Sequence, residues 1–187
     1  MANKIYSLLV GINNYASESA GQLYGCIKDV NLIETYLSQK AASNQQWELV
    51  QPRKLINEQA TRQAIIDGFL QYLCQADSQD VVLFHFSGHG SQEFAPDFWT
   101  KDRRFETVVC YDSRVPNGQD LADKELSYLI EQVAKNQPHI LIILDCCHSG
   151  TATRVPSEVS IREIDSTRKA RNLESFICGE KWLRERL

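Results

Sequence analysis

The chain has 187 residues, 43% hydrophobic and 24% charged, which suits one globular domain with or without a tail and excludes a wholly disordered, collagen-like or repeat-array chain. A net charge of −4 and a pI near 5.6 argue against a nucleic-acid binder, which would carry a basic footprint. The longest apolar runs are strand-sized, far short of the roughly 20 residues that cross a bilayer. Ile5–Gly11 is apolar and β-rich and reads as a buried strand, with no small-residue cleavage site to make it a signal peptide. Over 25–39, Ile27, Val30, Leu32, Ile33 and Leu37 recur at helical spacing. Residues 49–56 form a weaker strand that Pro52 assigns to an edge. Thr61 is an N-cap for a helix whose face holds Ala64, Ile65, Phe69, Leu70 and Leu73. Val81–Phe86 is a strong strand, 88–106 a long polar loop, and Thr107–Tyr111 a short strand or hairpin arm. Asp123 caps a helix running through Leu126, Leu129, Ile130 and Val133, and Ile140–Leu144 is the last strong strand.

This alternation predicts an α/β fold, a three-layer sandwich whose mostly parallel sheet has helices on both faces. Residues 1–150 carry a net −6 and form the expected domain. Residues 151–187 carry +2, show no strong strand, and read as a linker or tail with one amphipathic helix near 173–187. The six cysteines have no secretory context, so reduced thiols in a cytoplasm are expected.

In such sheets chemistry gathers at the carboxyl ends of strands. Three loops leave there: Gly11-Ile12-Asn13-Asn14, Ser87-Gly88-His89-Gly90-Ser91 and Asp145-Cys146-Cys147-His148-Ser149-Gly150. If the strands before the last two are neighbours, their ends lie about 5 Å apart, and a His on one loop faces a Cys on the next. A thiol of ordinary pKa is mostly protonated at neutral pH; an imidazole can take its proton and later deliver it to a leaving amine. Cys147 is then the nucleophile, although composition alone leaves Cys146 open, and His89 is the acid–base. Backbone N–H groups of Gly90 and Cys147 are the expected oxyanion donors. His85 is assigned to packing, His139 lies away from the site, and His148 has no role. Cys74, Cys110 and Cys178 are ordinary thiols. His85, His89, Cys146, Cys147 and His148 are also candidate zinc ligands, but no CxxC pair supports a metal centre. Gly88 and Gly90 lack the lysine of a phosphate-binding loop.

Phe86-Ser87-Gly88-His89-Gly90-Ser91, Asp145-Cys146-Cys147-His148-Ser149-Gly150 and Leu23-Tyr24-Gly25-Cys26-Ile27-Lys28-Asp29-Val30 resemble three motif blocks of the caspase-like cysteine peptidases, in the metacaspase and orthocaspase branch. The order of His before Cys, 58 residues apart, is similar to that of caspases. The resemblance covers about 4–150, the large-subunit (p20-like) region, and implies a caspase-like fold and a cysteine endopeptidase. Aligning the motifs makes Cys147 the nucleophile, Cys146 the variable position and His89 its partner. Cys26, Asp29, Ser87 and Asp145 match the family's lining of the pocket for the residue preceding the cleaved bond. Two carboxylates there favour Arg or Lys and repel Asp, so cleavage after Arg or Lys in peptide or protein substrates is expected. Arg154, Arg162, Arg168, Lys169 and Arg171, in a segment that looks exposed, become candidate self-cleavage sites. Lys28 replaces the usual Asn and is expected to point outward. Some relatives need calcium; here Lys124 interrupts the acids of Asp120-Leu121-Ala122-Asp123-Lys124-Glu125, and Arg154 stands where another acid can occur. No cofactor and little calcium dependence are expected. The family continues into a small-subunit (p10-like) region, so a partner segment is expected. The alternative reading is a dormant caspase-fold interaction module lacking that half.

Overall fold

The computed structural model describes residues 2–99, 103–146 and 170–186. A five-stranded parallel sheet is built from β1 (Asn3–Gly11), β2 (Trp47–Leu49), β3 (Arg53–Ile56), β4 (Val81–Ser87) and, introduced last along the chain, β8 (His139–Asp145). The strand order is β2-β1-β4-β8, with β3 also pairing β1. Side chains alternate across it. Tyr6, Leu8 and Val10 of β1 pack with Phe84, Ile65, Phe69 and Leu129 on one face. Leu9 packs with Leu83, Val30, Ile33 and Leu37 on the other. Helices therefore cover both faces, because strands buried on two sides are apolar throughout. The α/β architecture with a mostly parallel sheet is the one expected.

Helix α1 (Cys26–Ser43) covers the second face through Val30, Ile33 and Leu37; Leu32, counted with the apolar face from its spacing, is exposed instead. Lys28 points to solvent, as expected. The weak strand expected at 49–56 is two short strands, β2 and β3, both on the far side of β1. The break falls at Val50-Gln51-Pro52, where proline has no N–H to donate to the ladder. Thr61 caps α2 (Arg62–Asp67), accepting from the Ala64 N–H at 3.2 Å. The single helix expected through Leu73 is in fact α2, a π turn at Gly68–Tyr72 and a 3-10 turn at Leu73–Gln75, and Leu70 faces solvent. Gly68 lies hard against β1: a Cβ there would sit 2.7 Å from Leu8 Cδ2.

The largest correction concerns the long loop. Residues 90–108 hold an antiparallel hairpin, β5 (Gly90–Phe94) with β6 (Arg104–Val108), to which β7 (Leu121–Ala122) adds. Ser91 and Glu93 point into the protein, so polar residues stand where an apolar alternation would have announced a strand. Helix α3 (Asp123–Ala134) follows; its capping carboxylate is that of Glu125, which accepts from the Ala122 N–H at 3.1 Å, while Asp123 is already inside the first turn.

Residues 170–186 are packed, not trailing. The helix expected near 173–187 is a 3-10 turn (Leu173–Ser175) and the short α4 (Gly179–Arg184). Phe176, Cys178 and Leu183 form a second core with Ala95, Trp99, Phe105 and Ala122. Among the described residues no helix is long and apolar enough to cross a membrane.

Candidate active site

The register puts Ile56, Gly11, Ser87 and Asp145 side by side at the carboxyl edge of the sheet. The strands leading to His89 and to Cys147 are thus neighbours, and each candidate follows a paired strand-end residue, Ser87 or Asp145, by two positions. Cys147 itself, with His148, lies outside the described residues, as do Arg154, Arg162, Arg168 and Lys169.

Ser87 holds the centre of one cluster. Its hydroxyl lies 3.0 Å from Asp29 Oδ2 and 3.3 Å from Asp145 Oδ2, donating to one or the other. Asp29 reaches it from the first turn of α1, which Cys26 opens and where Cys26 is buried. The approach depends on Gly11: a Cβ there would sit 2.9 Å from the Cys26 carbonyl oxygen and 2.8 Å from Val30 Cγ2. A bare Cα lets the start of α1 rest on the end of β1. Asn13 fixes the same turn by accepting from the Cys26 N–H at 3.0 Å. Sequence reasoning named Cys26, Asp29, Ser87 and Asp145; the fold joins Asp29, Ser87 and Asp145 from α1, β4 and β8, and Cys26 is buried at the start of α1.

His89 is 4% exposed. Its carbonyl accepts from the Val109 N–H at 3.0 Å, and its own N–H donates to the Tyr15 hydroxyl at 2.7 Å. The Tyr15 ring lies beside the imidazole, centroids 5.1 Å apart. Gly88 permits this crossing: a Cβ would meet Phe86 Cζ at 2.8 Å and the Tyr15 oxygen at 2.9 Å. Facing residues of an antiparallel pair alternate between bonded and non-bonded positions. With His89 bonded to Val109, Gly90 falls opposite Val108 at a non-bonded position, so its N–H turns away from β6. Sequence reasoning did not name Tyr15, which follows β1 at the same carboxyl edge of the sheet.

Burial disfavours the thiolate at three of the other cysteines. Burial pushes Cys110 far above the ordinary thiol range, Cys178 up to about 11, and Cys74 upward. The described cysteines, Cys26, Cys74, Cys110, Cys146 and Cys178, form no disulfide among themselves. His85 is buried within β4, as expected for packing.

The acids near α3 are paired with cations of the same chain. Asp120 is bound by both guanidinium nitrogens of Arg114, at 2.5 and 2.9 Å, and accepts from Thr107 at 2.8 Å. Asp123 Oδ2 is 2.7 Å from Lys124 Nζ. Glu125 is paired with Arg62 and Arg171, both at 2.5 Å. Each of these three carboxylates thus has a cationic partner within the described residues. Among the described residues no three His, Cys, Asp or Glu side chains are grouped to hold a metal.

Residues 6–156 match the family described as metacaspase, peptidase C14 domain. Metacaspase-1A of Aspergillus terreus is 32% identical over 152 residues, which is 80% of this chain and 37% of that protein. Metacaspase-1 of Mycosarcoma maydis is 29% identical over 157 residues, 83% of this chain and 38% of that protein. A crystal structure of a Geobacter sulfurreducens protein superposes with a TM-score of 0.62 at 25% identity, covering 79% of this chain and 52% of that one. The fold is that of a caspase-like domain. The chain belongs to the metacaspase family, peptidase C14, and spans well under half the length of these curated relatives.

Proposed function

We propose that this domain is a cysteine endopeptidase that cleaves peptide bonds after Arg or Lys, with Cys147 as nucleophile and His89 as acid–base. One observation carries the specificity: two carboxylates, Asp29 and Asp145, meet at one hydroxyl, Ser87, at the sheet edge from which both catalytic loops depart. A guanidinium or ammonium gains charge-assisted hydrogen bonds there, whereas a substrate Asp brings a third like charge. In the first step His89 takes the Cys147 proton and the sulfur attacks the scissile carbonyl carbon. The N–H groups of Gly90 and Cys147 receive the oxyanion, a role that the outward turn of the Gly90 N–H supports. The C–N bond then breaks as His89 protonates the leaving amine. Water, deprotonated by His89, hydrolyses the thioester and restores the thiol.

The internal pairing of Asp120, Asp123 and Glu125 supports a mechanism with little call for calcium, and a cytoplasm suits a thiol that must stay reduced. Among the described residues no strand pairs with β8 on the side away from β4, and that side is where a p10-like segment would add strands. Leu141 is 52% and Leu144 36% exposed, one on each face of this strand, which is outermost among the described residues. Peptides ending in Arg, Lys or Asp before a fluorogenic amide test the reading. Turnover of the Arg and Lys peptides, abolished by iodoacetamide, by Cys147→Ala and by His89→Ala, is expected. Turnover of the Asp peptide alone would refute the specificity, and turnover unaffected by Cys147→Ala would refute the mechanism.

A further inference from the structure

We infer that Tyr15 is a positioning residue for His89, holding the acid–base against the sheet edge from a loop that is itself tied down; this rests on the reading of His89 given above. The Tyr15 oxygen accepts the His89 N–H at 2.7 Å, and its ring lies against the imidazole with 33° between the planes. Backbone and side chain of the same residue are thus restrained by one neighbour. The peptide on the N-terminal side is restrained as well, because Gly88 donates to the Asp145 carbonyl at 3.3 Å and has no room for a Cβ between Phe86 and Tyr15.

Tyr15 is anchored in turn. The Asn57 side-chain oxygen accepts from the N–H groups of both Asn13 and Asn14, at 2.9 and 3.1 Å. Asn57 does so from a left-handed backbone conformation, φ 47°, which Asn tolerates better than most residues. On the other side, the Ala16 N–H donates to the Tyr111 carbonyl at 3.1 Å, and the Tyr111 N–H to that of Ala60 at 2.9 Å. The loop is therefore fixed immediately before and after Tyr15. Burial raises the phenol far above its ordinary pKa, so the hydroxyl stays neutral across the working range and keeps its lone pairs available to the His89 N–H.

A small misplacement of an acid–base group can cost up to about a hundredfold in rate without loosening substrate binding. The contact therefore acts on the chemical step, while the acids that bind the basic side chain, Asp29 and Asp145, hydrogen-bond to Ser87. Tyr15→Phe keeps the ring and removes only the acceptor; Tyr15→Leu removes both. The full chain is compared with these variants and with Tyr24→Phe, whose side chain is exposed. Three readings are taken: kcat and KM for an Arg peptide, the rate of Cys147 alkylation by iodoacetamide at pH 7, and exchange of the His89 amide by NMR.

Tyr15→Phe is expected to lower kcat and the alkylation rate about tenfold, with KM within about twofold, and to speed His89 amide exchange about five- to tenfold, the loss of one hydrogen bond. Tyr15→Leu is expected to lower kcat further, and Tyr24→Phe to match the parent. Tyr15→Phe that exchanges like the parent overturns the inference. So does faster exchange with unchanged kcat and alkylation, since the contact would then be structural only. Alkylation supplies the comparison even where turnover is slow, and Tyr15→Phe decides if Tyr15→Leu does not fold. If His89→Ala retains full activity, it is the peptidase reading that fails, and the Tyr15 exchange result stands apart from it.

Discussion

At the scale of single residues, the proposed pocket depends on two carboxylates sharing a hydroxyl. Asp29→Asn keeps the shape and removes one charge. It should lower kcat/KM for Arg peptides about ten- to a hundredfold, the worth of a charge-assisted hydrogen bond, and leave thermal stability within a few degrees. Steady-state kinetics and a melting curve check both parts. Much of this site is legible in the sequence because each member sits one or two positions from a strand end or in a helix's first turn, where direction is nearly fixed. Tyr15 is not legible in that way. Its partner is a backbone N–H 74 residues away, and no residue type announces such a bond. Arg171 misleads for the opposite reason. A guanidinium in a basic stretch reads as exposed, yet it is bound at 2.5 Å to Glu125 and at 3.1 Å to Glu93, with its Cζ 3.8 Å from the Phe176 ring centroid. Cleavage after Arg171 would require that cluster to open, so self-cleavage is expected at the basic residues before it. Incubating the parent and Cys147→Ala, then mapping fragments by mass spectrometry, checks this: cuts after residues 154–169 in the parent alone are predicted, with Arg171 intact.

At the scale of elements, the hairpin β5–β6, helix α3 and residues 170–186 are joined by buried charge. Glu125 is fully buried and carries Arg62, Arg171 and the Ile177 N–H. Arg171→Ala leaves Glu93 without its cation and Glu125 with only Arg62. Breaking a buried pair on one side costs about 3–5 kcal/mol, and Arg62 should hold the loss near the lower figure. Thermal unfolding checks the size, and faster tryptic attack over 172–186 checks the place. Glu93 adds a pH dependence. Burial is the main cause that lifts its carboxyl from 4.5 to about 7, with Arg171 opposing and Glu125 and Asp120 adding to the rise. The folded state thus holds this proton more tightly than the unfolded chain. The stability it contributes is complete below about 4.5 and is lost as the pH rises through about 7. Glu93→Gln should flatten that part of the curve, melting a few degrees above the parent at pH 8 and closer to it at pH 5. Equal differences at both values would contradict this assignment. The same buried polarity explains why the hairpin escapes pattern reading: Ser91 and Glu93 occupy inward positions that apolar residues normally mark.

At the scale of the whole molecule, apolar runs locate β1, β4 and β8 well because strands covered on both faces have little room for polar residues. What those runs leave open is how the far side of β8 is closed, since an edge strand and a central one read alike. Charge on the edge tests the proposal of a partner segment there: Leu141→Lys should leave the melting point of this chain within a few degrees and weaken association with a p10-like segment by at least tenfold. The central claim is that Cys147, His89 and the acid pair act as one peptidase site for basic residues. The most direct measurement is covalent labelling with a peptidyl-arginine chloromethyl ketone, in which the thiolate displaces chloride, followed by peptide mass spectrometry. The account predicts one adduct on Cys147, formed at least tenfold more slowly in His89→Ala and in Asp29→Asn, and little reaction with the matching aspartyl reagent. An adduct on Cys146 or another thiol, or equal labelling by the two reagents, would contradict it.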